Sequence, residues 1–294
     1  MARSNMFLGL ASGKIGDVVF ARSRGQQIMR TRVVPNNPRT ARQQAQRVRM
    51  AAVAALYRAC REILKDSFTI RHGFESSYNA FSRNAIGMAP FFTKQMVDNC
   101  LALPIPAQAS RGVLTPLVVD TSSEATGSVE RMPSYNLPQE ATIGQWSEKF
   151  IEANPTYKNG DKVTFVAIVF KVNEEVPLED AYNAALYTAE IVLDTTSAAL
   201  LVANGWTLSN GQSFMRLDSL PISLSDDNLA ASDSIIQTAI IGSSKGANGE
   251  LLVSSEYFTL SAPAKALYDS FRSEEALENA IESYGSTANS TLSV

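Results

Sequence analysis

A net charge of −3 conceals a segregation that limits how this chain can fold. Residues 1–72 carry fourteen basic side chains against three acids, a net of +11; residues 73–294 carry twelve against twenty-six, a net of −14. Such asymmetry points to a polyanion held at the N-terminal end, or to head-to-tail association in which the basic part of one copy meets the acidic part of the next. The plainer alternative is that the charges solvate two unrelated surfaces. The rest of the composition is that of a globular chain: 294 residues, 45% hydrophobic and 19% charged, enough for about two domains and unlike collagen or disordered segments.

Several function classes are disfavoured early. The stretch Val163 to Phe170, a candidate apolar run, falls well short of the roughly 20 residues a membrane span needs. The opening MARSNMFLGLASGK lacks the long apolar stretch of a secretory signal. Two cysteines, Cys60 and Cys100, and one histidine, His72, supply neither a disulfide framework nor the usual zinc ligands. No glycine fingerprint for nucleotides occurs, and no cofactor is expected.

The residue pattern predicts an α+β protein: an N-terminal β-hairpin arm and a long helix, then an antiparallel β-sandwich-like domain and a short helical C-terminal tail. Residues 17–22 and 27–34 are β-prone runs around Ser23, Arg24, Gly25 and Gln26, which reads as a hairpin. Two strands are marginal alone in water, so the hairpin should lie against its own body or another subunit. Pro35 to Pro38 break the strand, and Thr40 with Gln43 forms a capping-box pattern opening a helix that should reach about Asp66. Its second half has a broad apolar face in which Cys60 reads as core. Its first half, with Arg39, Arg42, Arg47 and Arg49, leaves almost nothing apolar to bury, so it is wet or rests on an anionic partner. Shorter helical patterns follow between 74 and 99, and Pro104 and Pro106 close a basic unit over 1–110. The texture over 111–261 is β: strands are predicted at 162–172, 186–193, 213–217, 234–241 and 251–260, with Asn-Gly turns between. An acidic helical tail, 262–294, opens at an N-cap, Ser273.

Catalytic chemistry has few candidates. His72 stands beside Arg71 at a helix exit, where a surface histidine is the plain reading. Acid pairs such as Glu174 and Glu175, Glu179 and Asp180, Asp226 and Asp227, and Glu274 and Glu275 have local explanations in loops or a first helical turn. A hydrolase or carbohydrate module in the β body would need surface aromatics, for which Trp146, Trp206, Tyr182 and Tyr187 are the candidates. The arginines are a stronger signal. Arg22, Arg24, Arg30, Arg32, Arg39, Arg42, Arg47 and Arg49 can contact a neighbouring protein or DNA phosphates. With only Phe20 and Tyr57 interleaved, base stacking is poorly supported.

The segment Ser12-Gly13-Lys14-Ile15-Gly16-Asp17, followed by Arg24-Gly25, Arg30-Thr31-Arg32, Asn37-Pro38, Thr40 and Gln43-Gln44, resembles the N-terminal signature of an uncharacterised phage and prophage protein family. The likeness extends to Tyr78–Phe81 and to Gly112–Pro116, and the chain differs by a longer acidic region after residue 260. The resemblance implies a virion structural component of tail or neck, including ring-forming proteins of crAss-like phages, and brings no catalytic residues. The expectation is a non-enzymatic, multi-copy homo-oligomer assembled in the host cytoplasm. Its partners would be its own copies and portal, tail or capsid proteins, with no membrane. Binding to the DNA backbone is the alternative.

Overall fold

A computed structural model describes residues 3–5, 10–23, 26–33, 40–118, 135, 137, 141–178, 181–199 and 235–285. The N-terminal part is a four-stranded antiparallel sheet, β1 (Arg3–Asn5), β2 (Leu10–Ile15), β3 (Val18–Ser23) and β4 (Gln26–Thr31), in chain order. The expected hairpin is its second half, with Val18 opposite Thr31 and Ser23 opposite Gln26. Residues 10–15, too mixed in composition to read as a strand, form β2, whose Gly13 to Ile15 pair with β3 through a tight turn while Leu10 to Ser12 pair with β1. That turn needs Gly16, whose φ of 56° is left-handed and costs little only without a Cβ.

The helical layer comprises α1 (Ala41–Ala59), α2 (Arg61–Ser67), α3 (Ser77–Ala85) and α4 (Lys94–Asp98). The Thr40 hydroxyl accepts from the Gln43 N–H, as the capping pattern predicts, and the long helix breaks at Cys60 before continuing as α2. Beyond these, α5 (Ile143–Ala153) precedes the body sheet of β5 (Lys162–Val172), β6 (Tyr182–Val192), β7 (Ile235–Lys245), β8 (Leu251–Val253) and β9 (Thr259–Leu260). The order is β6-β5-β7-β8, with β9 beside β7, all antiparallel. The chain ends in α6 (Ala262–Ser270) and α7 (Glu274–Ser283), the latter capped by Ser273 as expected. The strand expected at 213–217 lies outside the described residues, as does the tail from 286.

The near-continuous apolar run of β5 is explained by burial on both faces. Val166, Ile168 and Phe170 face the helical layer and pack with Leu56, Leu64, Phe68 and Phe81. Val163, Phe165 and Val169 face the other way, onto Trp146 and Phe150 of α5. The mixed α+β class therefore holds. The body is sandwich-like in that both faces of its sheet are covered, but among the described residues the covers are helices. The segment around Pro104 and Pro106 is no exposed linker. Leu101, Leu103, Ile105, Ala107 and Ala109 are buried in the core that the helices share with the sheet, and Ser110 is buried too.

The first half of α1 corrects the expectation that it has nothing to bury. Ala41, Gln44, Ala45 and Val48 are buried, and Val48 packs with Phe91, Leu277, Ala280 and Tyr284. Small side chains let α7 approach closely, so the basic helix start rests on the acidic C-terminal helix of its own chain. Tyr284 feels both sides of that seam: burial pushes its hydroxyl up, Asp98 adds to the rise and Arg47 opposes it.

Candidate assembly interface

The N-terminal sheet has two chemically distinct faces, fixed by its register. Ile15, Val18, Phe20, Met29 and Thr31 fall on one face; Lys14, Val19, Ala21, Ile28 and Arg30 fall on the other. Every residue of β4 is exposed. Met29 is 68% and Ile15 56% exposed, although apolar residues on one face of a sheet ordinarily meet a covering layer. No described residue of the four strands belongs to any of the three apolar clusters of the fold. Arg32 extends the ladder by one step, its N–H donating to the Asp17 carbonyl at 2.6 Å.

The arginine side chains described among the eight lie on or just beyond two different elements. Arg30 and Arg32 are exposed on or just beyond β4, and Arg42 and Arg47 are exposed on α1. Arg30, Arg32 and Arg42 make no ion pair with a described carboxylate, whereas Arg47 donates to the Gln44 amide oxygen at 3.3 Å. Arg49 is turned inward, its guanidinium 5.6 Å from the Phe91 ring centre, while Arg272 stacks on the same ring at 5.5 Å. It is a packing residue, not an open phosphate contact. Arg24 and Arg39 and the Arg22 side chain lie outside what is described.

The other candidates have structural roles. His72 is exposed, its N–H bonded to Glu75. Cys60 is fully buried and burial pushes its thiol far up, the opposite of an activated nucleophile. Trp146 is buried against Phe150, with ring centres 5.1 Å apart, and Tyr182 packs against the core. They form no surface aromatic platform; Trp206 and the Tyr187 side chain lie outside the described residues. Glu174 and Glu175, and Glu274 and Glu275, are exposed, while the pairs 179–180 and 226–227 are not described. Among the described residues, no three His, Cys, Asp or Glu side chains are placed to hold a metal ion, and no helix is long and apolar enough to cross a membrane.

Sequence reasoning missed the groove between α2 and the end of the body sheet. It holds about 310 Å³ and is lined by Glu62, Ile63, Asp66, Glu190, Ile241 and Leu251, among others. Its lining comes from four separate stretches of chain, so no local motif marks it. No family model matches the chain, and neither does any curated protein or solved structure.

Proposed function

We propose that this is a non-enzymatic structural protein of a phage virion, present in several copies in the tail or neck and assembled through its N-terminal arm. The observation that carries the reading is that no described residue of the four-stranded sheet belongs to a core cluster, while Ile15 and Met29 are exposed on one face. A small sheet with an uncovered apolar face gains stability when a neighbour covers it. Of the residues that carry the resemblance, Gly16 makes a turn and Phe81 fills the core.

The test is the solution mass of the full chain and of a chain lacking residues 1–34. The full chain should form a discrete oligomer that loosens at high salt, and the shortened chain should stay folded as a monomer. A shortened chain that assembles fully overturns the reading. A full-length monomer that binds a DNA duplex at low salt and releases it at high salt moves the role to the phosphate backbone. In a virion, peptides of this protein should occur in purified particles in multiple copies.

A further inference from the structure

We infer that the groove between α2 and the open end of the body sheet receives β4 of a second copy, with Arg30 and Arg32 as the anchors; this rests on the assembly reading above. The groove lies where the helical cover of the sheet stops. Ile63 of α2 and Ile241 and Leu251 of the sheet give it apolar lining, and Leu251 is 44% exposed, so the space is underfilled. The same lining holds the carboxylates of Glu62, Asp66 and Glu190 and the ammonium groups of Lys162 and Lys245, so it carries one more acid than base. Glu190 pairs with Lys162 at 3.1 Å and Asp66 lies 3.7 Å from Lys65, but Glu62 makes no ion pair among the described residues.

An apolar lining beneath carboxylates suits a side chain with a long aliphatic stem and a fixed positive head. Arginine meets this best, because its planar fork engages a carboxylate through two hydrogen bonds. The arm supplies two in matching register. Arg30 and Arg32 are two residues apart on an extended segment, roughly 6.6 Å. Glu62 and Asp66 are four apart on a helix, about 6 Å along its axis. A second copy is the favoured occupant because one chain carries both halves of the contact, with Arg30 and Arg32 exposed on the arm and Glu62 and Asp66 exposed on α2. Arm-into-groove contact is heterologous, the kind that closes into a ring.

Full-length chains carrying Glu62→Lys with Asp66→Lys, or Arg30→Glu with Arg32→Glu, test this by light scattering alone and mixed in equal amounts. All four positions are exposed, and thermal melts check that each variant is folded. Each variant alone should fall to the 31.8 kDa monomer, and the mixture should regain association through the reversed pairs. If the Glu62/Asp66 variant assembles like the wild type while removal of residues 1–34 abolishes assembly, the groove is overturned and the arm reading stands. If arm removal leaves the oligomer intact, the arm reading itself fails. A mixture that stays monomeric also overturns the groove. Should a variant misfold, Arg32→Cys and Asp66→Cys chains in a Cys100→Ser background are mixed under oxidation. A disulfide between chains is expected. Its absence overturns the proposal, as does a disulfide formed only within one chain that carries both cysteines.

Discussion

Gly112 lacks a side chain because there is no room for one: a Cβ there would overlap the carbonyl oxygen and Cγ2 of Val253 on β8. The Gly112 N–H bonds to Ser255 Oγ at 3.1 Å, and Leu114 bonds to the same Val253 carbonyl, so the backbone cannot shift aside. Gly112→Ala should cost about 1–3 kcal/mol through overpacking, read as a lowered urea midpoint with unchanged slope. Tyr157 carries a second test at this scale. Burial pushes its hydroxyl up to about 12, with Ser254 pulling the other way. The contacts show no well-aligned hydrogen bond to that oxygen, so burial dominates. The unfolded chain ionises this tyrosine first, near pH 10. Its contribution is therefore full below pH 10 and is lost between about 10 and 12, by no more than about 1.4 kcal/mol per pH unit. Tyr157→Phe should flatten that alkaline fall in stability, measured by urea melts at stepped pH.

At the scale of elements, α5 shows what could have been read and was not. Thr142 and Gln145 form a full capping box, each side chain bonded to the other's backbone, and Ile143, Trp146, Phe150 and Ile151 lie on the apolar face. The surrounding residues read as β, yet T-x-x-Q before that spacing is a helix start. Thr142→Ala should destabilise the protein by about 1 kcal/mol and raise the mobility of Trp146, seen as a red shift of its fluorescence at sub-denaturing urea. The arm hairpin, the Thr40 start of α1 and the strand at 162–172 are legible because each has local punctuation: a glycine turn, a capping hydroxyl, a near-continuous apolar run. The helical covers of the sheet, the seam between α1 and α7 and the groove beside α2 join residues far apart in the chain. Nothing local encodes that proximity.

Over the whole molecule, the charge split is only partly resolved within one chain. The basic start of α1 lies on α7, with Val48 packed there, while Glu274, Glu275, Glu278 and Glu282 remain exposed. Among the described residues the sheet of β1–β4 has no such settlement: Ile15 and Met29 are exposed on one face, and Lys14, Arg30 and Arg32 add repulsion that an acidic neighbour would relieve. Local opening should therefore cost little in an isolated chain, because few buried apolar contacts hold the arm. Hydrogen exchange makes the difference measurable. In dilute, high-salt monomer the amides of β3 and β4 should exchange far faster than those of β5, which is buried on both faces. On concentration at low salt, protection should rise in β3 and β4 and in α2 around Glu62 to Asp66, while β5 stays unchanged. Protection gained in the arm but not in α2 places its partner surface elsewhere. Arm amides as slow in the monomer as those of β5 would mean that the sheet is already stable by itself, removing the physical reason for a neighbour to cover it.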